Sequence, residues 1–174
     1  PLRWSPNAFF NGSRAAGGVL VPRRQPATSW DGTAVDVNVA LPKASPQHLG
    51  PYPLVMLFHG YGGSKFGLGS GGGGIGSAIS SMTPWLNAGY APFSMSDRGF
   101  GESCRTAASR ASVPAGECAH GLNHLLDTPY VVSDPPYFAR EPVDQGPLAP
   151  PRSGAAGSPH RRGQSDAPPP RPTR

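Results

Sequence analysis

Between Trp30 and Met95 the spacing of apolar positions changes more than once, and each change predicts a different element. Over Trp30 to Pro42, Asp31-Gly32 marks a turn, after which Val35, Val37, Val39 and Leu41 alternate with other residues. That is the period of a strand buried on one face, as expected at the edge of a sheet. Leu54 to Phe58 is a short unbroken apolar run, LVMLF, bounded by Pro53 and by Gly60. Parallel strands covered on both faces require such runs, so this is the expected central strand.

Ile75 to Ala88 predicts the crossover helix, with Ile79, Met82, Trp85 and Leu86 on one side and Gly89 as its stop. Pro84 conflicts with a long helix, because proline removes a hydrogen bond and clashes one turn back. Either Thr83 caps a short helix that begins at Pro84, or the helix is kinked. Tyr90 to Met95 predicts the next parallel strand, which delivers Ser96, Asp97 and Arg98 to its carboxyl end. Strand, helix and strand in this order belong to the α/β class with a mostly parallel sheet.

Composition restricts where the core lies. The 174 residues suffice for about one domain, but 24 are Gly and 23 are Pro, a share associated with low-complexity sequence. Glycines crowd the stretch from Gly60 to Gly76 and prolines the stretch from Pro129 onward, so the core has to come from what lies between. Charge is segregated in the same way. Residues 1–24 carry four Arg and no acid, whereas Gln25 to Gln145 hold six basic against nine acidic residues. The formal net charge of +5 therefore describes the ends, and no Lys/Arg cluster interleaved with aromatics points to nucleic acid.

The segment from Gly146 to Arg174 has Leu148 as its one large aliphatic residue and no aromatic. Such a stretch does not bury enough apolar area to offset its ordering entropy and is expected to be a disordered Pro/Arg-rich tail. It is either a natural extension or GC-rich coding sequence read out of frame. The chain opens at Pro1, and residues 1–24 hold no apolar run long enough for a signal peptide or a membrane span. Cys104 and Cys118 stand 14 apart in one loop-like stretch. Either they close a single disulfide, worth roughly 3 kcal/mol at that loop length, and the protein is secreted or in the cell envelope, or they are two thiols of a cytoplasmic protein. The disulfide is the favoured reading.

Several motifs in order carry a resemblance. Asp31-Gly32 with the strand ending Leu41-Pro42; Leu57-Phe58-His59-Gly60-Tyr61-Gly62-Gly63-Ser64-Lys65; Trp85-Leu86 with Gly89-Tyr90; Asp97-Arg98-Gly99-Phe100-Gly101-Glu102-Ser103-Cys104; and Cys118-Ala119-His120-Gly121 through His124-Leu125 to Asp127-Thr128 together resemble the X-prolyl dipeptidyl-peptidase and cocaine-esterase-like acyl-esterase family of serine hydrolases. The resemblance covers roughly residues 30–128. It implies an α/β-hydrolase fold, present in part: residues 1–29 as an N-terminal extension, 30–128 as the N-terminal part of the hydrolase domain, and 129–174 as the tail.

The same resemblance implies that Tyr61 contributes to an oxyanion hole, through its backbone N–H or its hydroxyl, with Gly60, Gly62 and Gly63 letting backbone approach the substrate. His59 is expected to hydrogen-bond backbone, and Asp97 with Arg98 to form a buried or semi-buried pair that fixes the loop at the strand's end. Family members continue from Asp127 through a long helix and a strand into the nucleophile elbow, Gly-x-Ser-x-Gly. Here Pro129, Pro135, Pro136 and Pro142 interrupt the expected helix, and no Gly-x-Ser-x-Gly occurs. The nucleophile is thus absent, and the catalytic Asp and His that follow it in this fold have no counterpart. The expected function is an N-terminal fragment of a peptidase or esterase, inactive alone. The alternative is a non-catalytic binding module or remnant.

Other patterns carry less. Gly67 to Gly72 spells G-x-G-x-x-G but lies inside a glycine run and away from a strand end, so no cofactor is expected. His120, His124 and Asp127 have helical spacing without a Cys or a Glu base beside them, which makes them structural and leaves the expected metal content at none. The expected partner is a small peptide or ester substrate of the completed enzyme, with neither nucleic acid nor membrane.

Overall fold

The computed structural model describes residues 27–42, 46, 50–66, 82–123, 129–144 and 148–157. The expected alternation from Val35 to Leu41 is present but divided at Asp36. Strand β1 (Ala27–Thr28) pairs antiparallel with β2 (Ala34–Val35) as a small hairpin, while β3 (Val37–Val39) enters the main sheet. The hairpin turn is closed by the Thr33 N–H donating to Asp31 Oδ1 at 3.0 Å and by Gly32 at φ 88°, a left-handed conformation that favours glycine.

The main sheet has the order β3, β5, β4, β6, where β4 is Tyr52–Phe58, β5 is Ala91–Met95 and β6 is Leu148–Gly157. Strand β3 runs antiparallel to β5, and β4 is parallel to both of its neighbours, β5 and β6. The unbroken LVMLF run therefore sits in the interior of the sheet. Its side chains divide between two cores. Leu54, Met56 and Phe58 join Val35, Val37, Val39, Phe93, Met95 and Phe138 on one face; Val55 and Leu57 join Ala40, Met82 and Leu86 on the other.

Each core is closed by a helix. Residues 82–87, helix α1, lay Met82 and Leu86 on Val55 and Leu57, with Trp85 half-buried beside them. Gly89 follows at φ 81° as the stop. Met82 is already helical, so Thr83 is not the cap of a helix that begins at Pro84; the part of the expected helix before Met82 lies outside the described residues. Helix α2 (Ala107–Ala111) is a single turn held by a capping box between Thr106 and Ser109. Helix α3 (Asp134–Asp144) packs Phe138 onto Phe93, ring centroids 5.8 Å apart.

Helix α3 and strand β6 overturn two expectations. The prolines do not prevent the helix: Pro135 and Pro136 occupy its first turn, where N–H groups have no intrahelical acceptor, Pro142 falls in its last turn, where it removes a single backbone donor close to the end, and Asp134 suits the positive end of the helix dipole. Nor is the stretch after Gly146 without order throughout. From Leu148 to Gly157 it lies along β4, with Leu54 opposite Ser153 and Phe58 opposite Gly157. Backbone pairing on an existing strand compensates ordering that side-chain burial alone does not. Residues 158–174 lie outside the described residues.

Candidate functional site

Strands β4, β5 and β6 end level with one another, since Phe58 is opposite Met95 on one side and Gly157 on the other. Sites in open α/β sheets form at this carboxyl edge, and the motif His59-Gly60-Tyr61-Gly62-Gly63 begins here. His59 is buried, and the Asp97 N–H donates to its Nε2 at 3.0 Å. With Nε2 accepting, Nδ1 carries the proton and donates to the Gly60 carbonyl, 2.6 Å away. His59 is thus a neutral imidazole that ties the end of β4 to the end of β5.

The chain then turns tightly, with the Gly63 N–H donating to the Gly60 carbonyl at 3.0 Å and Gly62 at φ 77°. Tyr61 stands at the tip of this turn with 58% of its surface exposed. The edge of one ring meets the face of the other between Tyr61 and Phe100, at a centroid distance of 5.3 Å, and Phe100 makes a similar contact with His59 at 5.7 Å. Phe100 is held on the loop after β5, where its N–H donates to the Asp97 carbonyl at 2.9 Å. Gly99 in this loop has φ 76°, and a Cβ there would lie 2.7 Å from the Asn123 backbone nitrogen.

Beneath the turn lies a buried lysine. Lys65 Nζ is 2.6 Å from Asp36 Oδ1 and 3.3 Å from the Val37 carbonyl, and both charged side chains are almost fully enclosed. Its backbone is fixed as well: the Lys65 N–H donates to Ser96 Oγ at 2.9 Å, and its carbonyl accepts from Ser94 Oγ at 2.9 Å. Ser103 completes the joint, donating to the Ser96 carbonyl at 2.6 Å and accepting from the Asp36 N–H at 2.8 Å.

Arg98 and Asp97 are both buried at the end of β5. The Arg98 guanidinium grips two distant carboxylates, with Nη1 and Nη2 at 2.6 and 2.8 Å from Asp31, and Nε and Nη2 at 2.8 and 2.7 Å from Asp134. Asp97 is instead turned toward His59, with Oδ2 4.0 Å from Nε2. Ser29 Oγ donates to Asp134 at 2.5 Å, and the Arg98 Nη1 also reaches the His120 carbonyl at 3.2 Å. Tyr130 stacks on His120 at 4.8 Å and on Trp30 at 6.1 Å, with Arg98 against both Trp30 and Tyr130.

Burial pushes the Asp31 carboxyl up, but hydrogen bonds from Arg98 and Thr33 outweigh it and hold Asp31 below the ordinary carboxylate range. For Asp134 burial prevails over Arg98 and Ser29, and the Asp31 charge adds to it, so this group titrates above its ordinary value. Arg98 loses hydration by burial, yet the two carboxylates raise its proton affinity further, so it stays charged. One guanidinium thus binds the β1–β2 hairpin, the loop after β5 and helix α3 into one unit.

A disulfide joins Cys104 to Cys118. Gly121 packs against it so closely that a Cβ there would lie 2.4 Å from the Cys104 Cβ. His120 belongs to the Arg98 cluster, while His124 and Asp127 lie outside the described residues. Among the described residues no group of three His, Cys, Asp or Glu is placed to hold a metal ion, and no helix is long and apolar enough to cross a membrane.

The structure therefore brings His59, Tyr61, the turn glycines and the Asp97 backbone to one edge, and sends Arg98 to another job below it. Sequence reasoning takes Asp31 as a turn former and Lys65 as the end of a motif; the ion pairs of both were missed. The signal for Lys65 was its place directly after a buried strand and its tight turn, where a charge has to find a partner.

No protein-family model matches the chain, and no curated protein does. Solved structures do. Oligopeptidase B from Leishmania major superposes with a TM-score of 0.50 at 19% identity, over 81% of this chain and 17% of that one. The fold is a partial α/β-hydrolase fold. A post-proline cleaving enzyme from Rickettsia typhi gives 0.46 at 17% identity over 83% and 18%, and an acetyl xylan esterase from Paenibacillus sp. R4 gives 0.44 at 20% identity over 87% and 48%. The chain thus spans under a fifth of the first two proteins and about half of the third.

Proposed function

We propose that this chain is the N-terminal part of a serine hydrolase domain of the X-prolyl dipeptidyl-peptidase or acyl-esterase type, in which Tyr61 supplies one side of the oxyanion hole. The observation that carries this reading is the position of Tyr61, exposed on a tight glycine turn at the carboxyl end of the parallel strand β4, level with the end of β6. Acyl transfer places negative charge on the former carbonyl oxygen, and a donor fixed at that point lowers the barrier by about 2.7 to 4 kcal/mol. The order of helix α3 and strand β6 supports the reading too, because the resembled family places a helix and a strand before its elbow.

The departure then narrows to the elbow itself. After β6 the sequence reads Ser158-Pro159-His160 rather than Gly-x-Ser-x-Gly, so the chain alone has an oxyanion donor and no activated nucleophile. The substrate class is peptides with proline at the penultimate position or carboxylic esters, with no cofactor required. The Cys104–Cys118 disulfide supports a secreted or cell-envelope location.

A fluorophosphonate probe, which labels only an activated serine, tests the claim of inactivity alongside turnover of p-nitrophenyl esters and Ala-Pro-anilide. The expected result is neither labelling nor turnover. Labelling that maps to Ser158, or to any other serine, together with turnover abolished by a serine reagent would overturn it.

A further inference from the structure

We propose that Lys65 is the positioning residue for Tyr61, an assignment that rests on the oxyanion-hole reading of that tyrosine. Nothing in the first-order chemistry of an oxyanion hole requires a charge buried under it. A buried ammonium and carboxylate are costly to desolvate, and apolar residues of similar volume serve a core as well or better. Such a pair is best retained where it fixes one arrangement among several, and the turn above it has need of that: it contains Gly60, Gly62 and Gly63, which restrict backbone conformation least.

The geometry shows how the restriction is supplied. Lys65 lies four residues after Tyr61, just past the turn, and crosses under β5 to reach Asp36 at 2.6 Å and the Val37 carbonyl at 3.3 Å, next to the edge strand β3. Its N–H and carbonyl are held by Ser96 and Ser94 of the β5 segment, and the Asn38 amide donates to the same carbonyl at 3.4 Å. Asp36 is itself fixed, its N–H on Ser103 Oγ and its carbonyl accepting from the Ser96 N–H at 2.8 Å. The far end of the glycine turn is therefore clamped to strands on the other side of β5, while its near end is clamped by His59. Between two fixed ends, Tyr61 is left a narrow range of positions against Phe100.

The test reads the order of Tyr61 directly and needs no enzymatic activity. In the intact chain, backbone relaxation by NMR should give Tyr61 an order parameter like those of β4, about 0.85. In the double variant Lys65→Met with Asp36→Asn, which removes both charges and nearly keeps their volume, β4 and β5 amides should stay protected from exchange. Tyr61 should fall below about 0.6, and the amides of Gly60 to Ser64 should exchange at least about tenfold faster, a local loosening that a merely structural pair would not produce. Asp36→Asn, nearly isosteric, carries the same test at smaller amplitude should the double variant fail to fold. A Tyr61 already mobile in the unaltered chain, or equally ordered in these variants, would overturn the assignment. Failure of the hydrolase reading would show instead in the probe experiment above, which is independent of the order of the turn.

Discussion

Arg98 ties together three separate parts of the chain. It holds two carboxylates that lie 67 and 36 residues away in sequence, and removing it would leave both buried without their counter-charge. Arg98→Met is therefore expected to cost about 3 to 5 kcal/mol, read as a fall in the urea midpoint with an unchanged slope. The pH dependence follows from the opposite shifts of its partners. Asp31 is held low, so its contribution is present above the unfolded carboxylate value of about 3.9 and is lost as pH falls through its folded value. Asp134 is pushed up, so the folded chain keeps a proton that the unfolded chain has released, and stability declines as pH rises through that window. Urea midpoints across pH should show Asp31→Asn with a weaker acid-side loss and Asp134→Asn with a flatter profile above about pH 4. At this scale the sequence revealed that Arg98 stands at a strand end, but not its partners. Asp31 looks like a turn residue and Asp134 sits among prolines, and only tertiary packing brings either to the guanidinium.

Periodicity located the elements better than it located their boundaries. The LVMLF run, the strand before Ser96 and the alternation of Val35, Val37 and Val39 are all legible, because burial on one or two faces leaves its own period in the sequence. Helix α3 and strand β6 were not. Proline counts mislead when the prolines fall in the first and last turns of a helix, and low apolar content misleads where a strand is recruited by backbone pairing. Strand β6 covers what would otherwise be an open, apolar edge of β4. Those of its amides between Ser153 and Gly157 that bond to β4 should accordingly exchange slowly, and limited trypsin should leave the bond after Arg152 uncut in the native chain. Rapid cleavage there would show that β6 is not seated on β4. The loop after β5 adds a check on the disulfide: its reduction should cost roughly 3 kcal/mol, and Gly121→Ala about 1 to 3 kcal/mol, because the added Cβ meets Cys104.

For the whole molecule, a two-sided parallel core, a glycine turn at the carboxyl edge and an exposed Tyr61 are the features on which the proposed hydrolase reading rests, and the sequence holds no Gly-x-Ser-x-Gly. The motifs make that contrast legible, since the glycine turn after β4 and the elbow are separate local patterns and only the first occurs in this sequence. The measurement that tests it most directly is kcat of a chimera in which the residues after Gln145 are replaced by the elbow-bearing continuation of a hydrolase domain from the resembled family. The account predicts that hydrolysis of Ala-Pro-anilide or of p-nitrophenyl esters appears, and that Tyr61→Phe then lowers kcat about tenfold to a thousandfold with the hydroxyl as donor, or leaves it nearly unchanged with the backbone N–H as donor. A chimera that folds with its sheet intact, binds the fluorophosphonate probe at no serine and turns over neither substrate would contradict it.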